Sequence, residues 1–319
     1  MQRAGGRLTS TFRIAHISDL HLSPEHRRKN IRATKRLLEY IGTLGVDHLV
    51  ITGDIVANAE KQDFQLARSI LKSSGWLDSK ALSIVIGNHD VFGGVHHAED
   101  ILTFPKHCKH ADYKAKVSEF YDYFHEAFDT CLHGSQSSVF PYGKVIGDVV
   151  LVGMNSVAGY SRLGNPIGSN GEVSEAEMKK TAKILSSDLL MRKRKIILIH
   201  HHFYKRSSDD AGAMHSVWNA IEGQTMKLRG KNKLLKLFGE YHVDFVLHGH
   251  LHENHEYRRK NIRLLNGGGS VLENSGQEVR CNVITLTAQS VEIEQILIED
   301  DAGTVAGGLE HRVVTHVAA

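Results

Sequence analysis

Five short stretches of this chain concentrate residues that ligate metals or move protons: Asp19-Leu20-His21, Gly53-Asp54, Gly87-Asn88-His89-Asp90, Ile199-His200-His201-His202 and Gly249-His250-Leu251-His252. Together they offer carboxylates, an amide oxygen and several imidazoles, without a thiolate. That mixture suits borderline divalent cations: Mn, Fe, Zn or Co. Asp19, His21, Asp54, Asn88, His250, His252 and one of the three consecutive histidines make too many donors for one tetrahedral ion. Two ions sharing a carboxylate is the simpler arrangement. Two divalent ions offset by two carboxylates leave about +2, a charge that attracts phosphate and lowers the pKa of a bound water.

Each cluster follows an apolar, β-branched run: Phe12–Ile17, His48–Thr52, Leu82–Ile86, Lys195–His200 and Asp244–Gly249. These runs, with Val149–Met154, read as buried strands. Amphipathic segments over 28–44 and 60–74 separate the first three, and such alternation indicates α/β layering. In open α/β sheets, ligands bind at the carboxyl ends of strands. The pairs Asp19/His21 and His250/His252 are two residues apart, so on an extended backbone each pair would face one centre. Glycines 53, 87 and 249 permit sharp turns or close approach beside them. Any one cluster alone is ordinary, since a lone Gly-Asn-His-Asp can be an Asx turn. Five in order, each at a strand end, are not explained by turns. His16 and His48 lie inside strand patterns and are expected to be packed, satisfied side chains.

The 319 residues, 41% hydrophobic, suffice for one large domain or two small ones. Residues 11–300 are expected to form a single domain, with 1–10 a flexible leader and 301–319 a loosely ordered tail. Segment 91–136, rich in His, Lys and aromatics, reads as a helical insertion or cap, helical around 112–130. Segment 203–232 reads as irregular. The stretches 261–268, 279–287 and 290–299 read as consecutive strands with tight turns. Net charge is +3 and spread along the chain, which suits a small anionic substrate without requiring nucleic acid. The three cysteines are widely spaced and suggest neither a disulfide framework nor a thiolate zinc site. The 22 histidines are scattered rather than grouped as a tag. No apolar run approaches the roughly 18 residues of a membrane span, and the N-terminus lacks a secretory apolar core, so a cytoplasmic location is expected.

The five clusters, spanning residues 19–252, resemble the ordered signature of calcineurin-like metallophosphoesterases. The resemblance implies an α/β fold, a four-layer αββα sandwich with a helical insertion and a dinuclear site at one edge. It implies one metal held by Asp19, His21, Asp54 and His252, and another by Asp54, Asn88, His200 and His250, with Asp54 bridging. It further implies hydroxide attack at phosphorus, with His89 beside the leaving group and Asp90 orienting His89. Many relatives carry two prolines after the histidine pair, where this chain has His202 and Phe203. Matching the pair makes His200 the ligand and His201 a supporting or substrate-facing residue. A one-residue slip would make His201 the ligand.

Similar sets of motifs occur in class III cyclic nucleotide phosphodiesterases. The expected activity is therefore metal-dependent hydrolysis of 3′,5′-cyclic nucleotides or other small phosphodiesters. A phosphomonoesterase or a lipid-precursor pyrophosphatase could use the same centre, although the latter relatives usually have Arg at the position of His89. A nuclease is disfavoured by the absence of a concentrated basic stripe. A metal-stabilised interaction scaffold is the non-enzymatic alternative. His96, His97, Tyr113, Tyr204, Lys205, Arg206 and His215 are candidate substrate contacts, each equally readable as cap or loop surface. A homodimer through a terminal strand edge is compatible with the pattern.

Overall fold

In the computed structural model, two β-sheets face each other and helices cover their outer sides. The structure describes residues 11–96, 98–133, 138–204, 226–252, 254–271, 278–300 and 309–318. In chain order the elements are β1 (Phe12–Ile17), α1 (Arg28–Thr43), β2 (His48–Ile51), α2 (Lys61–Ser73), β3 (Leu82–Ile84), α3 (His89–Phe92), α4 (Phe104–His110) and α5 (Tyr113–Phe124). There follow β4 (Leu132–His133), β5 (Tyr142–Ile146), β6 (Val149–Gly153), β7 (Gly171–Glu172), α6 (Glu175–Leu185), β8 (Arg194–Leu198), β9 (Leu228–Arg229) and α7 (Lys231–Glu240). The chain ends with β10 (Phe245–His248), β11 (Asn254–Arg259), β12 (Ile262–Gly267), β13 (Glu278–Leu286), β14 (Val291–Asp300) and β15 (Leu309–Ala318).

The first sheet has the order β15-β14-β13-β1-β2-β3 and the second β11-β12-β10-β8-β6-β5-β4. Strand alternation in the second sheet shows the layering. Leu151, Ile196, Leu198, Phe245, Leu247 and Leu265 join the core shared with the first sheet. Their neighbours Val150, Val152, Ile197, Ile199, Val246 and Leu264 join a second core against α6 and α7. Successive strand residues point to opposite faces, so one continuous apolar run serves both cores. Helix α1 buries Ala33, Leu37, Leu38 and Ile41 at helical spacing against the first sheet. Burying each of its larger aliphatic side chains contributes about 1.5–3 kcal/mol. Helix α6 begins at a capping box, in which Ser174 and Glu177 satisfy each other's backbone N–H groups. The resulting αββα sandwich is the expected fold.

Three expectations change. The strands 262–267 and 278–286 are not sheet neighbours: β12 runs parallel to β10 in the second sheet, while β13 pairs antiparallel with β1 in the first. The tail expected outside the domain supplies β15, which pairs with β14 along 309–318. The segment expected as a helical insertion or cap is helical over Tyr113–Phe124, but its aromatic residues belong to the main core. Phe120, Phe124 and Phe128 recur every four residues and are buried there, with Phe120 and Phe124 packed against Phe64 of α2. The expected leader and residues 205–225 lie outside the described residues. Among the described residues, no helix is long and apolar enough to cross a membrane. His16 bonds Thr52 Oγ1, and His48 bonds the Lys80 carbonyl and Ser83 Oγ, so both are satisfied core residues.

Candidate metal centre

The clusters meet between the ends of the two sheets. β1, β2 and β3, adjacent in the first sheet, deliver Asp19/His21, Asp54 and Asn88/His89. β8 and β10, adjacent in the second, deliver His200 and His250/His252. The loops after β1 and β2 stay paired beyond the strands. Asp19 N donates to the Gly53 carbonyl at 3.1 Å, His21 N to Asp54 O at 3.0 Å and Leu22 N to Ile55 O at 2.9 Å.

These backbones are not extended, as the two-residue spacing suggested. Asp19, His21, Asp54 and His250 have φ of 59°, 45°, 50° and 73°. Left-handed conformations cost non-glycine residues of order 1–3 kcal/mol each and persist where the surroundings over-determine them. The ligand pairs therefore converge through tight left-handed turns rather than through strand alternation. Glycine is required beside two of them. A Cβ on Gly87 would overlap the Asp54 carboxylate, and one on Gly249 would overlap Ser18 Oγ and Asp19 Oδ2.

Two neighbouring donor groups result, with the Asp54 carboxylate between them. Around the first, Asp19, His21 and His252 bring ligand atoms within 4.8 Å of one another. The His21 and His252 Nε2 atoms are 3.3 Å apart. Around the second, Asp54, His200 and His250 do the same. His200 Nε2 lies 3.1 Å from Asn88 Oδ1, 3.1 Å from His250 Nδ1 and 3.3 Å from Asp54 Oδ2. That same Oδ2 is 4.0 Å from His21 Nε2. His200 donates its Nδ1–H to the Thr52 carbonyl at 2.7 Å, so in the neutral ring Nε2 presents a lone pair. Four ligand-type atoms thus crowd one point with too few hydrogens to satisfy them. His250 Nε2, also buried, has no hydrogen-bond partner. The donor set fits divalent cations in number and chemistry.

Electrostatics agree with that fit. Burial holds His21 and His250 well below the ordinary imidazole range, keeping them in the neutral form that ligates. Burial also opposes charge on His200, but the Asp54 carboxylate outweighs it and lifts His200 to about 9. The site attracts positive charge, and a proton and a cation compete for the same atoms.

Of the three consecutive histidines, His200 faces the carboxylate. His201 is fully buried and turned aside. Its Nδ1 accepts from Ser156 Oγ at 2.8 Å, its Nε2–H donates to the Ser169 carbonyl at 3.3 Å, and its ring packs against His200 and His250. His202 meets the Met226 carbonyl through Nε2. Phe203, at the position of the relatives' second proline, is buried against Phe238 in the outer core.

His89 sits edge-on to His21, with ring centroids 4.5 Å apart, and its backbone N–H donates to Asp54 Oδ1 at 2.8 Å. The expected orienting role of Asp90 is not what the structure contains. His89 Nδ1–H donates to the Ala57 carbonyl at 3.1 Å. The Asp90 carboxylate accepts from the backbone N–H groups of Val56 and Gly87, at 2.9 and 2.8 Å. Asp90 therefore clamps the Gly-Asp and Gly-Asn-His-Asp loops together, and a carbonyl sets the His89 tautomer. Sequence reasoning missed Ala57, because a backbone acceptor leaves no signal in residue type.

The other candidate contacts separate. Tyr113 OH donates to the Val157 carbonyl and accepts from Asn155, which makes it an interior brace. His96 bonds Asn58 and stacks on His26 at 4.2 Å. His97, Lys205, Arg206 and His215 lie outside the described residues.

A family model for the calcineurin-like phosphoesterase domain matches residues 12–254. This chain belongs to that family. The phosphoesterase is a metal-dependent phosphoester hydrolase by membership, and its Asp/His clusters provide where metal can bind. A search of curated protein sequences finds no match. Among solved structures, a dimetal phosphatase from Danio rerio shares the fold at 12% identity and a TM-score of 0.58, covering 96% of this chain and 98% of that one. The NAD nucleotidase from Haemophilus influenzae matches at 11% identity and a TM-score of 0.47, over 95% of this chain and 54% of that one.

Proposed function

We propose that this phosphoesterase is a two-cation phosphodiesterase acting on 3′,5′-cyclic nucleotides or other small phosphodiesters. The observation that carries the two-cation reading is the placement of Asp54 Oδ2 between His21 Nε2 and His200 Nε2. In this reading Asp19, His21, Asp54 and His252 hold one cation, and Asp54, Asn88, His200 and His250 the other. When bound, the pair supplies Lewis acidity, positive charge for the phosphate and a water of lowered pKa.

The chain's own residues supply the remaining parts. His89 keeps its Nδ1–H on the Ala57 carbonyl, which leaves Nε2 to meet a phosphate oxygen or to protonate the leaving oxygen. Its backbone N–H fixes Asp54 Oδ1 and so leaves Oδ2 for both donor groups. His201, bonded at both ring nitrogens, supports His200 and His250 by packing. Asp90 holds the two loops on which Asp54 and His89 ride. His89 in place of the arginine usual in lipid-precursor pyrophosphatases, and the small net charge of +3, support a small soluble diester over a lipid precursor or a nucleic acid.

The test is turnover of bis(p-nitrophenyl) phosphate and cyclic AMP by the metal-stripped chain with and without added Mn2+. Hydrolysis that needs Mn2+ is expected, and no metal-dependent turnover of either compound sinks the proposal. Faster turnover of p-nitrophenyl phosphate than of its diester would reassign the protein as a phosphomonoesterase.

A further inference from the structure

The second donor group hangs from two strand ends, and β11 holds both. β11 is an edge strand, separated from β10 by β12. Tyr257 reaches across β12 on the helix-covered side, where it packs against the outer core. Its hydroxyl lies 2.8 Å from Nε2 of His248, the last residue of β10. The same hydroxyl oxygen accepts the Phe203 backbone N–H at 3.1 Å. Two residues further along β11, Arg259 donates to the Phe203 carbonyl at 3.0 Å. Both backbone polar groups of Phe203, its N–H and its carbonyl, are thus held by one strand.

The hydrogens along this path have one consistent direction. His248 Nδ1–H donates to the Gly249 carbonyl at 3.2 Å, so Nε2 is the acceptor. Tyr257 O–H donates to it and takes the Phe203 N–H in return. His248 is fully buried, and burial pushes the Tyr257 hydroxyl well above its ordinary range, so it stays a phenol. Buried partners of this kind are worth keeping only when every member is satisfied, and here each one is. One end of the path lies three residues beyond His200 and the other two residues before His250. Between them, Gly249 N donates to the His200 carbonyl at 3.0 Å.

We propose that Tyr257 and His248 are positioning residues that fix His200 relative to His250 and thereby set the affinity of the second cation site. The proposal rests on the two-cation reading above. Groups that orient ligands from behind typically change metal affinity about 10–100-fold when removed. The first site should feel less, because three of its four donors in this reading, Asp19, His21 and Asp54, ride on the opposite sheet and only His252 follows β10.

The experiment titrates Mn2+ into metal-stripped full-length chain by calorimetry, with thermal melts of each stripped protein as the folding control. Wild type should show two binding events, and the one that His200→Ala removes is the second site's event, whichever of the two is tighter. Tyr257→Phe and His248→Leu should weaken the second event about 10-fold or more and leave the first within about twofold. His248→Gln, whose side-chain oxygen can still accept from Tyr257, should restore most of the second event. Should Tyr257→Phe fail to fold, the two His248 variants carry the comparison. Unchanged second-site affinity in a folded Tyr257→Phe or His248→Leu overturns the proposal and leaves the two-cation reading intact. Equal loss at both sites, or no difference between His248→Gln and His248→Leu, also overturns it, since general loosening would give that result. A single binding event in wild type overturns both this proposal and the reading beneath it.

Discussion

The donor group around His200 is sealed, whereas the group around His252 is open. The His200 side chain is fully buried and that of His252 is 45% exposed. His200 is anchored by the Thr52 carbonyl and faces Asn88, Asp54 and His250 within 3.3 Å. His252 touches His21 at 3.3 Å, and its Nε2 stands 3.9 Å from Asp19 Oδ1. One half of the centre is built into the packing between sheets, and the other is completed by a side chain at the rim. A sealed site holds its donors without a cation and can retain one tightly. An open half can admit substrate and exchange its ion. Between them stands the Asp54 carboxylate, whose Oδ2 lies 3.3 Å from His200 Nε2 and 4.0 Å from His21 Nε2.

That contrast can be broken most severely at Asp54. Asp54→Asn should abolish cation binding in both halves and lower phosphodiester turnover by more than ~100-fold, beyond the loss typical of a residue that merely supports a ligand. Metal analysis after dialysis, paired with the turnover assay, checks this; retention of two ions would show that the halves are independent. His89→Ala should lower kcat by about 10²–10⁴-fold while leaving both cations bound, as expected for loss of a group that transfers or directs a proton. Loss of an ion in that variant would move His89 from chemistry into ligation.

The halves should also differ directly. His200→Ala should remove one ion outright, and His252→Ala should weaken the other about 10-fold, because an exposed ligand is more readily replaced by water. Equal effects in a Mn2+ titration would erase the sealed-versus-open distinction. The smallest effect is expected at Asp90. Asp90→Asn removes one of two buried acceptors and should cost about 1–3 kcal/mol in urea unfolding, with ion count preserved. A large loss of turnover with unchanged stability would instead restore Asp90 to a role at His89.

Much of this was legible beforehand because the local patterns are unambiguous. The run Phe12–Ile17 is β1 residue for residue, and the amphipathic stretch 28–44 ends one residue from α1. Strand β5 and helix α7 were not singled out. Lys144 at the centre of β5 masks its apolar pattern, yet it is buried with its ammonium on the Leu82 and Ala127 carbonyls. That β12 and β13, consecutive in the chain, join different sheets was hidden for a different reason. Both have strand-like composition, and nothing in a strand's own residues states which neighbour it will pair with.

By itself, the sequence determined which residues are candidate ligands and at which strand ends they stand, because apolar runs and the polar clusters after them are properties of neighbours in the chain. It also carried the family, since the order of five clusters survives without any knowledge of distance. The tertiary structure alone decided the rest. Asp19 and His250 are separated by 231 residues, and only sheet packing brings the His250 N–H onto the Asp19 carboxylate. Only packing turned His200 inward and His201 toward Ser156. It also held four ligands in left-handed turns, gave Asp90 to two backbone amides, and placed Tyr257 across a strand from His248. These outcomes depend on which surfaces exclude water together, and that is a property of the folded chain as a whole.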